Sequence, residues 1–361
     1  MKKIGFVNFD MSTRGGAQQV LHNIANALCE EYEIHVISMI HEKGECAYQL
    51  REGIHYHAVL EGKQRIRQVI QCGGKPFREY CKENSLELLF YVGAYAGLCG
   101  GLLGRTLKMP KVFCDHGALL NQWKEAPARI MRTVGSRFSE RTVVLTKQSE
   151  KAYYDKFGYK EGRIQTIYNW MDDTILANAG EYDTNSRCIL TAGRFSKEKG
   201  MDLLVDVAGK LREKTEDFTW EVYGEGDMFP EISERIQQDG LTEHVKLKGL
   251  TNEMEKCYQG HCMYVLTSYR EGLPLVLLEA KANHLPLISF DIVSGPGEIV
   301  TDGQDGVLIP PYDTEKMAEA IYQLLENGEK RKQMSDNSVL RMELFEKEKI
   351  LNQWRALIEE M

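Results

Sequence analysis

The sequence predicts an α/β protein of two doubly wound, Rossmann-like domains. Three observations carry this expectation. The chain has 361 residues, more than one core holds and fewer than three would need. Short apolar strands alternate with amphipathic helices along its whole length, the pattern of parallel sheets joined by right-handed crossovers. Eleven strand candidates suit two sheets better than one.

In the first half the strand candidates are 3–9, 34–40, 88–92, 111–114 and 142–146, with an amphipathic helix over 18–30. The stretch 169–186 is polar and patternless, so the domain boundary is placed there. Beyond it, strands are expected at 188–192, 219–223, 245–247, 263–267, 286–290 and 306–309, and helices at 200–213 and 314–327. Leu344, Ile350, Leu351, Trp354 and Leu357 recur at helical spacing and predict one final helix over 336–361. The expected map is an N-terminal domain over 1–178, a second domain over 179–335, and a last helix, 336–361, packing back on the first.

Lys and Arg number 45 against 53 Asp and Glu, a formal charge of −8, which excludes a generic nucleic-acid coat. The two halves differ sharply. Residues 1–180 hold 24 basic against 19 acidic side chains, and residues 181–361 hold 21 against 34, so two different partners are expected. Nine cysteines form no CxxC pair, and Cys99 and Cys188 lie in apolar runs, as reduced thiols of a cytosolic protein do. Cys257, His261 and Cys262 cluster but run straight into the strand-like MYVLTS with no second ligand pair, so they read as core and not as a zinc site. Met1-Lys2-Lys3 leads into the six-residue strand IGFVNF, not a signal peptide, and no apolar run reaches the roughly 18 residues a membrane span needs.

The most informative stretch is MYVLTSYREGLPLVLLEA, 263–280. A buried strand ends in the loop SYREG and a helix begins at Pro274, a residue suited to the first helical position. Free amides at Leu273, Leu275 and Val276 make that terminus an anion site. Glu271 stands before it and Glu279 about one turn inside, on a nearly all-apolar helix where a carboxylate needs a partner. In TAGRFSKEKG, Arg194 and Lys199 follow a strand's C-terminal end, where doubly wound sheets bind ligands. Arginine offers a planar fork and lysine a mobile point charge for phosphate oxygens. At the first strand's end, DMSTRGG places Gly15 and Gly16 before a helix, where backbone can approach a phosphate. Neither this turn nor YGEGDM at 223–228 has the G-x-G-x-x-G order, which disfavours a nicotinamide dehydrogenase. His116 follows the strand KVFC.

Glu271 and Glu279, seven residues apart in REGLPLVLLEA and followed by LPLISFD and SGPGEIVTDGQDGVLIPP, resemble the E-x7-E region of family 4 retaining glycosyltransferases of group 1, which adopt the GT-B fold. The resemblance runs over nearly the whole chain and is clearest over 186–330. It implies that Glu271 contacts the donor sugar, that Glu279 binds the nucleotide ribose, and that the amides of Gly272, Leu273 and Leu275 hold sugar and phosphate. Pro274 stands where the family often has glycine, removing one donor. Arg194 and Lys199 resemble the family's diphosphate clamp. Gly15 and Gly16 resemble its GGAE element with Gln18 in place of glutamate, Gly16 being the diphosphate contact and Gly15 a hinge. His116 matches a histidine near the donor sugar, and Asp115 beside it is a weaker candidate. Gly249 and Leu250, after VKLKGL, offer backbone to the base, with uridine preferred to guanosine on family frequency.

The resemblance thus implies retaining, front-face transfer of a hexose or N-acetylhexosamine to a polysaccharide or lipid-linked oligosaccharide. The diphosphate itself would help deprotonate the acceptor, and residues 1–178 would form the acceptor side. No D-x-D stretch occurs, so no metal and no other cofactor is expected, and cations and helix N-termini carry the leaving-group charge. A sugar-nucleotide 2-epimerase on the same fold would need further acid/base carboxylates, and a non-catalytic sugar-nucleotide-binding module would lack the intact Glu271, Arg194, Lys199 and His116. Excess positive charge lies in 62–82 (Lys63, Arg65, Arg67, Lys75, Arg78, Lys82) and 124–141 (Lys124, Arg129, Arg132, Arg137, Arg141), interleaved with apolar residues. Such segments suit either helices packed on a sheet or peripheral docking on an anionic inner leaflet.

Overall fold

The computed structural model of the chain describes residues 1–117, 119–171, 181–251 and 253–361. It divides into two units, Met1–Asn169 with Glu348–Met361, and Trp170–Lys347. Of the boundary stretch read at 169–186, residues 172–180 lie outside the described residues.

The first unit holds β1 (Lys3–Asp10), β2 (Glu33–Ile40), β3 (His55–Ala58), β4 (Leu88–Val92), β5 (Lys111–Asp115), β6 (Arg141–Val144) and β7 (Ile164–Thr166) in one all-parallel sheet, ordered β3-β2-β1-β4-β5-β6-β7. Helices α1 (Gly16–Leu28), α2 (Ile66–Cys72), α3 (Gly74–Glu83), α4 (Ala94–Leu103), α5 (Ala126–Arg137) and α6 (Lys147–Phe157) connect them. The apolar stretch YVGAYAGLCGGLLG is the end of β4 and then α4. A Cβ at Gly97 would stand 2.4 Å from the Phe113 ring and one at Gly100 2.3 Å from Tyr91, so bare backbone lets this helix press against the sheet.

The second unit holds β8 (Cys188–Ala192), β9 (Thr219–Tyr223), β10 (Val245–Gly249), β11 (Met263–Leu266), β12 (Leu287–Phe290) and β13 (Gly306–Ile309), also all parallel, ordered β10-β9-β8-β11-β12-β13. Its core gathers Ile189, Trp220, Val222, Met263 and Val265 from one sheet face with Leu204, Val207 and Leu211 of α7 (Met201–Arg212) and Met317 and Ile321 of α12 (Thr314–Leu325). Between them in sequence lie α8 (Phe229–Gln238), α9 (Met254–Cys257), α10 (Leu275–Ala282) and α11 (Pro296–Ile299).

Three readings are corrected. The described residues contain thirteen strands, not eleven. The strand β3, HYHA, is half exposed with no apolar run, and β7 is three residues long, so neither carries a periodic signal. The last helix does not span 336–361. Gly328–Asp336 forms α13, Leu340 is extended, Arg341 is left-handed at φ 63°, and a new helix, α14, covers Lys347–Glu360. Met342–Phe345, which includes Leu344, forms a separate 3-10 turn with Phe345 fully buried. Pro274 is the N-cap, not the first helical residue; its ψ of 101° is extended and α10 starts at Leu275.

Both sheets reverse direction of winding between two central strands, β1 and β4 in one and β8 and β11 in the other. Ligands of open α/β sheets bind outside the C-terminal ends of such a pair.

Candidate functional site

In the second unit, the loops leaving β8 and β11 meet at that switch point. Lys199 Nζ donates to Glu271 Oε1 at 2.7 Å, and Ser268 Oγ donates to the same oxygen at 2.7 Å. The Glu271 side chain is 8% exposed, so an ionised carboxylate there depends on the ammonium beside it. The loops are clasped by further bonds: Arg270 to the Glu198 carboxylate at 2.8 Å, and the Tyr269 amide to the Glu198 carbonyl at 2.8 Å. The Arg270 guanidinium holds the Glu198 carboxyl below the usual range. Gly200 has φ 61°, and a Cβ on it would sit 2.1 Å from the Thr267 carbonyl, so only glycine lets the two loops close. Arg194 is exposed, and its guanidinium has no ion-pair or hydrogen-bond partner among the described residues.

On the helix side, the amides of Gly272, Leu273 and Leu275 have no partner among the described residues and lie at the N-terminus of α10. Glu279, one turn on, accepts from Tyr258 Oη at 2.5 Å, which gives the carboxylate a protein partner on an otherwise apolar helix. Burial first, and then the Glu279 charge, push the Tyr258 phenol well up. Gly249 ends β10 at φ 71° with its carbonyl accepting from Gly224 at 2.8 Å, and Leu250 beside it is 71% exposed. YGEGDM, set aside as a failed fingerprint, turns out to build this site. Gly224 packs on the Arg194 loop so tightly that a Cβ would lie 1.9 Å from the Gly193 carbonyl. The Phe195 amide donates to the Glu225 carbonyl at 2.8 Å.

In the first unit, a cleft of about 540 Å³ opens at the ends of β1, β4 and β5, lined by Asp10, Gln18, Lys63, Tyr95, His116 and neighbours. Both His116 ring nitrogens are shielded and without a hydrogen-bond partner. Burial, against the opposing pull of the Asp115 charge, brings its pKa down to about 4, so the ring is neutral near pH 7. Asp115 itself is committed: it accepts from Arg132 Nε at 2.8 Å, Tyr153 Oη at 2.8 Å and the Gly117 amide at 3.1 Å. Gly15 is extended at φ −171°, a geometry any residue adopts. A Cβ there would meet only the end of the Gln18 side chain, with Oε1 at 2.7 Å. Gly16 is open, with nothing within 4 Å of its Cβ position. Gln18, in place of a glutamate, donates to the Asp10 carbonyl at 3.2 Å.

The basic segments change meaning. Arg132 is 3% exposed and paired with Asp115, so it is a core cation and not part of a surface stripe. Arg78 donates to the Leu103 carbonyl, and Arg141 pairs with Glu360. Arg129 bonds the Trp123 carbonyl. Outward on and beside α5 stay Lys124 and Arg137 with Ile130 and Phe138, 55% and 36% exposed, and in the other segment Lys63, Arg65, Arg67, Lys75 and Lys82 are exposed. No helix among the described residues is long and apolar enough to cross a membrane.

Comparison with known proteins meets this geometry. The model of Glycosyltransferase Family 4 matches residues 14–174, and that of Glycosyl transferases group 1 matches residues 173–341. An uncharacterized glycosyltransferase of Haemophilus influenzae is 28% identical over 99% of this chain and 100% of its own length. The Campylobacter jejuni α-1,4-N-acetyl-D-galactosaminyltransferase, which its name places on a GalNAc-GalNAc-diNAcBac-PP-undecaprenol acceptor, is 24% identical over 100% of this chain and 99% of its own. Among solved structures, sucrose-phosphate synthase of Thermosynechococcus elongatus superposes with a TM-score of 0.83 at 17% identity, covering 100% of this chain and 99% of that one. HepE of Anabaena in complex with UDP-glucose gives 0.81 at 17%, covering both chains fully (100%). The chain belongs to the group 1, family 4 glycosyltransferases, and its two parallel-sheet units are those of the GT-B fold.

Proposed function

We propose that this glycosyltransferase moves a hexose or N-acetylhexosamine, with retention at the anomeric carbon, from a UDP-linked donor to a polysaccharide or lipid-linked oligosaccharide. The observation that carries the reading is the Lys199–Glu271 pair at 2.7 Å, set beside the unpaired Arg194 and the free amides at the start of α10. In this reading Arg194 and Lys199 neutralise the departing diphosphate, and those amides add hydrogen bonds where its charge develops. Glu271, already tied to Lys199 and Ser268, accepts from donor-sugar hydroxyls and positions them. Glu279 exchanges its tyrosine partner for ribose, or shares it. His116, neutral and unpartnered, offers one donor and one acceptor to the sugar. The diphosphate takes the acceptor's proton as the new glycosidic bond forms on the same face. No metal ion is required in this scheme.

The UDP choice rests on the nucleotide in HepE, and the acceptor class on the Campylobacter relative. We propose docking of α5, through Arg137, Ile130 and Phe138, on the anionic inner face of the cytoplasmic membrane. Flotation with anionic vesicles at low salt tests this: wild type floats, Arg137→Glu with Ile130→Ser floats less, and no binding by wild type removes the idea. For the reaction, turnover is measured against UDP- and GDP-sugars with an undecaprenyl-diphosphate glycan acceptor, and product configuration is read by NMR. Transfer with retention from a UDP-sugar, undiminished by EDTA, is expected. An inverted product, dependence on added Mg²⁺, or an epimerised sugar nucleotide without transfer would refute it.

A further inference from the structure

A second cluster of chemistry-bearing groups lies in the Trp170–Lys347 unit, on the sheet face turned from its core. Ile189, Trp220 and Val222 enter the core, so Cys188, Glu221 and Tyr223 share the opposite face. The Cys262 amide donates to the Cys188 carbonyl at 2.7 Å, which brings His261 alongside. Cys188 Sγ, a Glu221 carboxylate oxygen and His261 Nε2 then lie within 4.8 Å of one another.

The hydrogen bonds fix the protons. His261 is 6% exposed, and its Nδ1 lies 3.1 Å from the Gln259 carbonyl, which can only accept. Nδ1 therefore carries the hydrogen and, in the neutral ring, Nε2 presents a lone pair. Nε2 has no hydrogen-bond partner and faces Glu221 Oε2 at 3.5 Å. That oxygen already accepts from Tyr223 Oη at 2.9 Å, while Lys248 holds the carboxylate's other oxygen at 3.0 Å. The shielded Nε2 lone pair faces a half-buried carboxylate oxygen with a thiol beside both, an arrangement that a cation would join.

We infer that Cys188, Glu221 and His261 bind a divalent transition-metal ion of the zinc type. Sulfur, imidazole nitrogen and carboxylate oxygen are the ligand set that ion takes, three from protein with a fourth position open. Bonds of about 2.0–2.3 Å to a tetrahedral ion put ligand atoms about 3.3–3.8 Å apart, within the spacing found. The outer contacts are in place: the Gln259 carbonyl orients the histidine, and Tyr223 and Lys248 orient the carboxylate. Binding releases the Cys188 thiol proton to solvent, which reaches the site past Glu221, whose side chain is 21% exposed. Cys188 opens β8 and Arg194 follows its far end, roughly 13–20 Å along the strand at about 3.3 Å per residue. The ion would clip β8, β9 and the entry to β11 together, apart from the transfer chemistry.

The test uses the full chain, stripped with chelator and titrated with Zn²⁺ or Co²⁺ alone. One equivalent should bind, and the Co²⁺ form should show sulfur-to-metal charge-transfer absorption with the strong d–d bands of a four-coordinate site. Cys188→Ser should abolish the charge-transfer band. His261→Gln should weaken Zn²⁺ binding at least about 100-fold, the upper end of what loss of even an outer-shell partner does. Cys257→Ser should leave both unchanged. If Cys188→Ser does not fold, alkylation of folded wild type gives the same reading: Zn²⁺ should protect Cys188, identified by mass spectrometry. Absence of a stoichiometric ion, a band that survives Cys188→Ser, or protection of a different cysteine overturns the inference; the first would make His261 and Glu221 a plain ion pair.

Discussion

Glu271 and Lys199 share one short contact, so neither acts alone. Glu271→Gln and Lys199→Ala should each lower kcat/KM at least about 100-fold, the scale of one lost transition-state contact, measured with the best donor of the panel. Because the two side chains are partners, the double variant should lose less than the product of the single losses. His116 gives a pH signature. Its folded pKa of about 4 lies below the roughly 6.5 of an unfolded histidine, so the unfolded chain binds the proton more readily between these values. Its contribution is complete above about pH 6.5 and fades as pH falls toward 4, by up to about 3 kcal/mol. Urea unfolding at pH 7 and pH 5 should show a smaller loss in His116→Phe than in wild type. Glu271, Glu279, Arg194 and Lys199 could be singled out because they sit in short contiguous motifs at strand ends. Arg132 was not: its partner, Asp115, lies 17 residues away on another element, and cation spacing on a helix says nothing of what the sheet presents to it. For the same reason His261 was grouped with Cys257 and Cys262, its sequence neighbours, although the fold sets it, from the loop before β11, against Cys188 of β8 and Glu221 of β9.

At the scale of elements, the strands with continuous apolar runs were readable, as were the amphipathic helices α1, α7 and α12, to within a few residues. The edge strands β3 and β7 were missed, since a short edge strand buries too little to show a pattern. Glycine turns were readable as turns but not by what they touch. Gly200 joins the Lys199 loop to the end of β11 through a left-handed residue with no room for a side chain. Gly200→Ala should destabilise the protein by about 2 kcal/mol or more, combining a strained φ with a clash against the Thr267 carbonyl. It should also lower kcat/KM by moving Lys199 off Glu271, while leaving binding of an acceptor analogue to the first unit unchanged by calorimetry. Gly224→Ala should behave alike, through the Arg194 loop.

For the whole molecule, the acidic excess lies in the half that holds the proposed donor site, so in that proposal Arg194 and Lys199 must dominate their own surroundings. The first unit is closed by residues from the other end of the sequence. Trp354 of α14 is buried with its ring edge-on to Phe90 of β4 at 5.6 Å, and Arg355 forms a forked pair with Glu31. Trp354→Ala should destabilise by about 3–5 kcal/mol. Hydrogen exchange should localise the loss to β1 and β4, more than 250 residues away in sequence. This closure sets an order on the ribosome. Residues 170–347 are synthesised between the two parts of the first unit, roughly 10–40 s of translation at about 5–20 residues per second. During that interval the sheet made first waits with the seat of Trp354 uncovered, and the unit begun first is the last to be finished.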